Sequence, residues 1–422
     1  MEEWREYKIG DLCTISSSKR IFANEYQSFG IPFYRGKEII EKHSGSKISN
    51  ELYISETRYE EIKKKYGVPQ EGDLLLTSVG TLGIPYVVRD EEFYFKDGNL
   101  TWFYNFGNLN NHYLYYWFLS TAARHLIDTK AIGSTQKALT IETLKKFEIK
   151  LPSIQTQKQI VDVLKSLDDK IEVNRRINDN LEQQAQALFK SWFVDFEPFK
   201  DGEFVESELG RIPKGWRVAK IKDIPHTLNT GKRPKGGAIT SGVPSIGAEQ
   251  LKGLCNYDYT KTKYISKEFS QSIPKGKVIG YEVYLNRVGG KPGDYIQNTT
   301  MFGEGYPYEN CYINDHVFKL DFMQNRGYNV YVYFTFLTSR IQKYLNACGG
   351  KAAIPVINKQ NIDDIYIFLP ENEYVKKFGE IVLPMINMIF KIGLESARLA
   401  TLRDTLLPKL MSGELSVNDI KE

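Results

Sequence analysis

The residues of this chain that could carry catalysis do not assemble into a catalytic motif. Adenine methylation needs an Asn/Asp-Pro-Pro-aromatic motif over a flipped base, and the sequence contains no Pro-Pro pair. Gly303-Glu304-Gly305 lacks the third glycine of a dinucleotide loop, and Gly349-Gly350-Lys351 lacks the leading glycine and the following hydroxyl of a phosphate loop. The five histidines show no metal-ligand spacing. We therefore expect no catalytic residue, metal or cofactor in this chain.

Loops that mix small residues, amides and positive charge are the candidates for binding nucleic acid. Small residues let backbone N–H groups approach phosphate, and Arg, Lys, Asn and Gln side chains can reach base edges. We predict that the following residues make such contacts: Ser18, Lys19, Arg20, Arg35, Lys37, Thr77, Ser78, Ser134, Thr135, Gln136, Lys137, Thr230, Lys232, Arg233, Asn286, Arg287 and Lys351. The alternative for each loop is a solvated surface turn. Lys63-Lys64-Lys65 follows Glu60 and Glu61, and we interpret it as a solvated helix face.

These loops are positioned by a sequence repeat. Trp4, Ile9, Asp11 and Leu12 recur 212 residues later as Trp216, Ile221, Asp223 and Ile224. Further matches follow in the same order. Their offset changes at first, as expected from loop insertions and deletions, and is then constant at 218. The matches are Tyr53-Ile54-Ser55 with Tyr264-Ile265-Ser266, Val79-Gly80 with Val288-Gly289, Asp97 with Asp315, Leu119 with Leu337, and Leu151-Pro152 with Leu369-Pro370. The colinear order indicates a duplicated domain.

Each copy of the repeat ends in a long helix with an apolar seam. The seam residues are spaced alternately by four and three, which is typical of a coiled coil: Ile160, Leu164, Leu167, Ile171, Asn174, Asn178, Leu181, Ala185, Leu188 and Trp192 in the first copy, and Phe378, Val382, Met385, Ile389, Ile392, Ser396, Leu399, Arg403, Leu406 and Leu410 in the second. We expect the two helices to pair antiparallel over about 33 residues, or roughly 50 Å. Pro384 should bend the second helix or mark its start.

Composition gives weaker constraints. The formal charge of +4 proves nothing alone, but Ile154 to Glu197 holds six Lys or Arg against eight Asp or Glu, so the basic surplus lies outside that helix. The four cysteines form no C-x-x-C pair and suit a reducing cytoplasm. The N-terminus has no apolar signal region, and no membrane span is expected. Aromatic runs such as Phe93-Tyr94-Phe95 and Tyr331-Val332-Tyr333-Phe334 look like strands or sheet-packing elements.

The chain resembles the specificity subunits of type I restriction-modification systems over nearly its full length. The resemblance rests on Leu402 to Leu415 at the end of the second helix, Trp192 to Phe196 at the end of the first, Leu151-Pro152 leading to Gln159-Ile160, and Glu208-Leu209-Gly210 leading to Trp216. The second copy departs from the pattern, because Leu369-Pro370 is followed by Glu371-Asn372-Glu373 without the glutamines seen at Gln157 and Gln159.

The resemblance implies an α+β fold, mixed in helix and strand, with two target-recognition domains separated by an antiparallel helix pair. The expected organisation is a first recognition domain at 1–152, a long helix at 153–197, a linker and second recognition domain at 198–370, and a second long helix with a C-terminal tail at 371–422. It also implies that the chain binds a bipartite site in double-stranded DNA and docks two methyltransferase subunits, which would carry the S-adenosylmethionine, and that the assembly can recruit restriction subunits.

Two alternatives from other classes remain at this point. One is a DNA methyltransferase or nuclease with built-in recognition domains, against which the missing catalytic motifs argue. The other is a structural coiled-coil adaptor without a nucleic-acid role. Basic loops at equivalent places in both copies, such as Lys19-Arg20 and Lys232-Arg233, favour DNA binding over the adaptor.

Overall fold

A computed structural model describes residues 4–133, 137–323, 325–350 and 353–420. The chain divides into two compact units. Unit 1 comprises Met1–Glu172 and Leu399–Glu422, and unit 2 comprises Val173–Arg398. Each unit therefore contains a segment of both long helices.

The first repeat mixes short strands and helices and ends in the first long helix. Its strands are β1 (Arg5–Lys8), β2 (Thr14–Ser16), β3 (Ile31–Tyr34), β4 (Tyr53–Ile54), β5 (Leu74–Thr77), β6 (Pro85–Val87), β7 (Tyr94–Phe95), β8 (Leu100–Tyr104) and β9 (Glu148–Leu151). Its helices are α1 (Ile9–Leu12), α2 (Gly36–His43), α3 (Glu56–Tyr66), α4 (Asn111–Leu119), α5 (Thr121–Lys130), α6 (Ile141–Lys145) and the long α7 (Ile154–Phe193).

The second repeat follows the same plan. Its strands are β10 (Phe204–Val205), β11 (Ile212–Pro213), β12 (Arg217–Lys220), β13 (Thr227–Thr230), β14 (Val243–Ile246), β15 (Lys263–Ile265), β16 (Val283–Asn286), β17 (Gly290–Lys291), β18 (Asp294–Tyr295), β19 (Thr299–Met301), β20 (Tyr312–Ile313), β21 (Val317–Asp321) and β22 (Tyr366–Leu369). Its helices are α8 (Lys267–Ser272), α9 (Arg326–Phe336), α10 (Ser339–Gly349), α11 (Lys359–Asp363), the long α12 (Asn372–Ser412) and the short α13 (Val417–Ile420).

The sheets of the two units have the same strand order. Unit 1 has a four-stranded sheet β2-β8-β5-β6, a three-stranded sheet β4-β3-β7 and the pair β1-β9. Unit 2 has β13-β21-β16-β19, β15-β14-β20 and β12-β22 in the corresponding places. Even the parallel pairing recurs, because β3 pairs parallel with β7 and β14 pairs parallel with β20. The internal repeat and the mixed α+β fold predicted from the sequence are confirmed.

Helix caps recur at equivalent positions and explain why the helices begin where they do. The Ser55 hydroxyl accepts the first-turn N–H of α3, and the Ser266 hydroxyl does the same for α8. Asn110 and Asn325 cap α4 and α9 in the same way. Such caps satisfy N–H groups that have no partner inside the helix. The matched serines were part of the sequence repeat, and their capping role explains why both copies keep a hydroxyl there.

Within each unit the two long-helix segments pack antiparallel. In unit 1, Arg403 of α12 donates to Asp168 of α7 over 2.7 Å. In unit 2, the Asn174 amide donates to the Ser396 hydroxyl over 3.2 Å, and the Asn178 amide donates to the Ile389 carbonyl over 3.2 Å. All predicted seam residues are buried or partly buried. The two asparagines are therefore polar seam contacts, as predicted.

The buried stripe of each helix is wider than the predicted seam. Phe189, Phe193, Ile386 and Phe390 lie outside the seam pattern, yet each belongs to the core of unit 2. The Phe193 ring lies 4.9 Å from that of Tyr331 in α9. These side chains bury a second face of both helices against the globular part of unit 2. A two-position heptad describes only the seam between the helices.

Pro384 does not mark the start of the second long helix. Helix α12 begins at Asn372 and continues through Pro384 to Ser412. A proline inside a helix removes one backbone hydrogen bond. The neighbouring Val382 and Ile386 are fully buried, and burial of such side chains contributes more than the lost bond costs.

The aromatic run Tyr331 to Phe334 lies in helix α9, so the prediction of a strand there is wrong. Every residue from Asn329 to Phe336 is buried, and an all-apolar run does not distinguish a buried helix from a strand. The run does pack against strands of the sheet, and Phe93-Tyr94-Phe95 contains β7 as predicted. Within the described residues, no helix combines the length and apolar character needed to cross a membrane.

Candidate nucleic-acid interface

In unit 1, several of the predicted loops meet where β2, β3 and β5 end. The Ser18 hydroxyl donates to the Phe95 carbonyl over 2.8 Å, and the Ser78 N–H donates to the Asn99 carbonyl over 2.8 Å. Phe95 is the last residue of β7, and Asn99 directly precedes β8. We call this region the strand-end surface of unit 1, which comprises residues 16–20, 35–37, 77–80, 96–99 and Lys137.

The loop after α5 joins this surface through its second half. The Gly80 N–H donates to the Lys137 carbonyl over 3.2 Å, and Val79 and Ala138 form a β-bridge. The Lys137 side chain is exposed. Ser134, Thr135 and Gln136 lie outside the described residues, so their predicted contacts remain predictions.

Arg20 and Lys19 extend from the strand-end surface of unit 1 toward solvent. The Arg20 guanidinium pairs with the Asp97 carboxylate over 2.9 Å, and the two side chains are 67% and 15% exposed. The Lys19 ammonium lies 4.6 Å from the centre of the Tyr66 ring, while its backbone N–H donates to the Tyr94 hydroxyl. An exposed ion pair of this kind contributes little to stability, so both cations remain available to a polyanion.

Arg35 caps helix α2 and is held by one buried acid. Its Nε and Nη2 donate to the two oxygens of Glu38 over 3.1 and 2.5 Å. This hydrogen bonding raises the pKa of Arg35, so the guanidinium stays charged and keeps one orientation. Lys37 is 56% exposed and lies 3.8 Å from Glu41.

The side chains of Thr77 and Ser78 face the protein interior. The Thr77 hydroxyl accepts the Ile84 N–H over 2.9 Å, and the Ser78 hydroxyl lies 2.5 Å from that of Thr101. Their exposed fractions are 0% and 2%. The two hydroxyl groups hold the end of β5 in place. Their side chains are not exposed to a ligand in this structure.

Unit 2 builds an equivalent surface at the ends of β13, β14 and β16. Gly231 packs so closely on the Ile313 carbonyl that a Cβ there would overlap the oxygen. The Asn314 N–H donates to the Ile246 carbonyl over 2.9 Å. We call residues 229–233, 286–289 and 314–316 the strand-end surface of unit 2.

Arg233 repeats the arrangement of Arg20. Its Nε lies 3.4 Å from the Asp315 carboxylate, with side chains 50% and 41% exposed, and Nη2 lies 3.3 Å from the His316 ring. Asp97 and Asp315 are matched positions of the repeat, and so are Arg20 and Arg233. Two units with little sequence identity therefore place the same ion pair at matched positions. We call each of these pairs the Arg–Asp corner of its unit. Lys232 is exposed beside this pair, and Thr230 is partly buried at the end of β13.

Asn286 and Arg287 play different parts. Asn286 is fully buried, and its amide accepts from the Asn298 N–H and donates to the Ile296 carbonyl over 2.7 and 2.9 Å. Arg287 is partly buried, donates to the Asp315 carbonyl over 2.9 Å and lies 5.2 Å from the Phe318 ring. Asn286 thus holds the loop, whereas Arg287 reinforces the Arg233–Asp315 corner.

The loop after α10 also matches its counterpart in unit 1. Val288 bridges Val356, and the Gly289 N–H donates to the Pro355 carbonyl over 3.2 Å. These contacts repeat those of Val79 and Gly80. Lys351 lies outside the described residues, so its predicted contact remains a prediction.

Sequence reasoning missed several residues of these surfaces. Asp97 and Asp315 were found as repeat matches but were not assigned to the site, although an acid recurring opposite a recurring arginine was the available signal. His316 had no counterpart in the first copy that could have pointed to it. Lys64 and Lys65 were interpreted as a solvated helix face, yet they line a concave surface with Lys19 and Arg20.

Three of the four cysteine thiols are poorly suited to act as nucleophiles. Burial raises the pKa of Cys13 and Cys311 to about 12 and that of Cys255 to about 11. A thiol with such a pKa is protonated at neutral pH and is a weak nucleophile. Among the described residues, no group of three or more His, Cys, Asp or Glu could hold a metal ion.

Comparison with known proteins defines the class of the first repeat. Residues 1–183 match the family model described as the type I restriction modification DNA specificity domain. The family match covers the strand-end surface of unit 1 and most of helix α7. The first repeat and its loops therefore match a DNA specificity domain.

Similarity to full-length proteins extends this result to the whole chain. The chain is 27% identical to the type I restriction enzyme MjaIX specificity subunit of Methanocaldococcus jannaschii, over 99% of this chain and 95% of the relative. It is 24% identical to the HindI specificity subunit of Haemophilus influenzae, over 98% and 100% of the two chains. The crystal structure of the type I S subunit from M. genitalium has the same fold, with a TM-score of 0.56 at 17% identity over 97% of this chain and 96% of that one. Over nearly its full length the chain is thus similar to type I restriction enzyme specificity subunits.

Proposed function

We propose that this chain reads a bipartite site in double-stranded DNA, with one part contacted by each strand-end surface. The observation that carries the proposal is the recurrence of one exposed ion pair, Arg20–Asp97 and Arg233–Asp315, at matched corners of two units. Two DNA-reading surfaces of one origin would need the same framework and different contacting loops, and that is the pattern of these units.

The chemistry of the surfaces supports a division of labour. Exposed Lys19, Lys137 and Lys232 suit phosphate, which fixes position without reading sequence. Arg35 is oriented by two hydrogen bonds to Glu38, and an oriented guanidinium suits the edge of a base. Arg20 and Arg233 can exchange an acid partner for phosphate or base at little cost in stability.

We further propose that the long helices dock two methyltransferase subunits, and that a restriction subunit joins the assembly. In unit 2, helix α7 exposes Val173 and Ile177 at 48% and 40%, and α12 exposes Ile381 and Met388 at 42% and 50%. Apolar side chains spaced by three, four or seven residues lie on one helix face. Such faces suit a protein partner.

The chain itself is proposed to be non-catalytic, with S-adenosylmethionine bound by the methyltransferase subunits and none by this chain. Buried, protonated thiols and the absence of a catalytic motif from the sequence support this assignment. Purified chain incubated with DNA and labelled S-adenosylmethionine should transfer no methyl group, whereas the complex with the methyltransferase should. Transfer by the isolated chain would replace this proposal with the fused-enzyme alternative.

The DNA-reading proposal is tested by sequencing methylated bases in cells that carry the chain with its methyltransferase. Wild type should methylate a bipartite motif. Lys232→Ala/Arg233→Ala should lower methylation of that motif through the part read by unit 2, and Lys19→Ala/Arg20→Ala is the matched variant for the part read by unit 1. A complex that assembles but methylates no defined motif would favour the adaptor alternative.

A further inference from the structure

Unit 1 carries a basic concave surface built around an exposed tyrosine. It has a volume of about 760 Å³ and is lined by residues of α3 and of the loop after β2: Lys19, Arg20, Arg58, Glu61, Ile62, Lys64, Lys65 and Tyr66. Five of these residues are cationic and one is acidic. We call it the α3 basic surface.

Positive charges gather around one exposed aromatic ring at its centre. Tyr66 is 48% exposed, and the Lys19 and Lys65 ammonium groups lie 4.6 and 5.2 Å from the centre of its ring. Lys19 comes from the loop after β2 and Lys65 from the last turn of α3. Within the described part of the chain, Lys19, Lys64 and Lys65 have no carboxylate within ion-pair distance. Like charges that converge without an acid repel one another, and a bound anion would relieve that repulsion.

The acids nearby are already engaged. Arg58 pairs with Glu25 over 2.9 Å and with Glu61 over 3.2 Å, and Arg20 pairs with Asp97. The neighbouring Lys63 points elsewhere, because it pairs with Glu60 and Glu92 and lies against Tyr59. Among the described cations of this surface, the two arginines have an acid partner and the three lysines have none.

The aromatic centre of the surface has no counterpart at the aligned residues of unit 2. By the alignment of Ser55 with Ser266, the helix of unit 2 should continue to Lys277, but α8 ends at Ser272, just before Pro274. Lys277 is the residue aligned with Tyr66, and its carbonyl accepts from the buried Lys319. Lys275 is aligned with Lys64, so unit 2 keeps two exposed lysines at the aligned positions but has no aromatic ring between them.

We infer that the α3 basic surface binds the phosphate backbone of duplex DNA next to the part of the site read by unit 1. The inference rests on the proposed function, and the occupant follows from position: Lys19 and Arg20 belong both to this surface and to the strand-end surface of unit 1. A duplex on the strand-end surface would continue over α3. The contact would be independent of sequence, since it is made by ammonium groups to phosphate.

The test uses the complex of the full chain with its methyltransferase and a fluorescent duplex that carries the motif defined by methylation sequencing. Binding is measured by anisotropy between 50 and 200 mM salt. Each phosphate contact contributes about 0.9 to the slope of log affinity against log salt. Lys64→Ala/Lys65→Ala removes two such contacts. Between 50 and 200 mM salt, the affinity of wild type should therefore fall about tenfold more than that of the variant. The matched control is Lys63→Ala, on the same helix turn, which should leave the slope unchanged.

The outcomes separate the inference from the proposed function. If wild type does not prefer the motif duplex to a scrambled one, the proposed function fails. If wild type prefers it and the double alanine variant keeps the wild-type slope, the α3 inference is wrong. A changed methylation motif in the variant would mean that the lysines read bases, and loss of copurified methyltransferase would mean that they bind protein. Both results would overturn the phosphate assignment. Lys64→Arg/Lys65→Arg should restore the slope, which excludes a folding defect.

Discussion

The two units solve one packing problem with different chemistry. In unit 1 the Trp102 indole donates to the Asp73 carboxylate over 2.8 Å. At the matched place in unit 2, the Lys319 ammonium lies 3.5 Å from the Glu282 carboxylate, and the two side chains are 7% and 4% exposed. Trp102 and Lys319 occupy the same register on their sheets, because they pair with Leu75 of β5 and Tyr284 of β16. A neutral donor in one unit is thus a buried cation in the other.

This difference teaches which features the framework requires. An acid precedes β5 and another precedes β16, and each needs a donor from the neighbouring strand. Burial raises the pKa of Asp73, and hydrogen bonds from the Gln70 N–H and the Trp102 indole offset only part of that rise. Glu282 receives more donors, since the N–H groups of Ile279 and Gly280 and the Tyr284 hydroxyl all donate to it. The geometry is common to both units, while the donor is free to change.

The two strand-end surfaces share an ion pair but differ in the elements around it. Both units keep the same Arg–Asp corner, but unit 1 adds helix α2 with Arg35 and the long helix α3, whereas unit 2 adds the β17–β18 hairpin and Arg287. A shared framework with exchanged surface elements is what two readers of different DNA sequences need.

The largest expected effect is on the buried pair of unit 2. Lys319→Met leaves Glu282 buried without its counter-charge and should lower the free energy of unfolding by roughly 3–5 kcal/mol. Trp102→Phe in unit 1 removes one hydrogen bond and should cost only about 1–3 kcal/mol. Hydrogen exchange of the amides in β16 and β21, compared with β5 and β8, measures each unit separately.

A double variant sharpens this prediction. Replacing both charges, as in Glu282→Gln/Lys319→Met, removes the uncompensated carboxylate and should recover a large part of the lost stability. The single variants Lys319→Met and Glu282→Gln are measured alongside it. If the double variant lost as much free energy of unfolding as the two single variants together, the side chains would not be coupled. The comparison with Asp73–Trp102 would then lose its basis.

The next effect concerns the loop that carries the Arg–Asp corner. In unit 2, Gly231→Ala forces a Cβ against the Ile313 carbonyl and should cost about 2 kcal/mol or more, since backbone must move. In unit 1 the matched residue is Ser18, whose hydroxyl donates to the Phe95 carbonyl. Ser18→Ala should cost only about 1 kcal/mol. Thermal unfolding and methylation of each part of the site check both variants.

A smaller effect is expected from removing the acid of each corner. Asp97→Asn and Asp315→Asn release Arg20 and Arg233 and take one negative charge from each surface. Both variants should raise affinity for DNA by roughly twofold to fivefold at low salt and less at high salt. If DNA affinity rose in one variant and fell in the other, the two Arg–Asp corners would not be equivalent. Glu60→Gln, which changes the same charge away from the surface, is the control.

The sequence could predict the elements that depend on local pattern. The two long helices, their polar seam contacts at Asn174 and Asn178, and the duplicated framework followed from spacing alone. The helix that contains Tyr331 to Phe334 could not be distinguished from a strand by hydrophobicity, although its capping Asn325 was visible. Pro384 was expected to bend the second long helix or mark its start, and α12 instead begins at Asn372 and continues through Pro384.

The site was less predictable, because surface contacts depend on which loops the fold brings together. Lys19 and Arg20 were found from residue type, but nothing near them in sequence pointed to Lys64, Lys65 or Tyr66. Thr77, Ser78 and Asn286 had suitable residue types, yet the fold turns their side chains inward. Residue type identifies what a loop can do, while exposure is decided by distant parts of the chain.

The smallest expected effect is a pH dependence present in one unit only. In unit 2, hydrogen bonds from Gln360, Lys222 and Lys220 lower the pKa of Asp364 to about 2. The matched residue in unit 1 is Lys146, which has no such role. A carboxyl whose pKa is lower in the folded chain stabilises it above the ordinary value near 3.8, and this contribution is lost as pH falls from there toward 2. The thermal unfolding midpoint should therefore fall less between about pH 5 and 2 in Asp364→Asn than in wild type, whereas Lys146→Ala should show the wild-type fall. The effect is small because Asp364 is exposed to screening solvent. An identical drop in wild type and Asp364→Asn would mean that the three donors do not hold the carboxylate in solution.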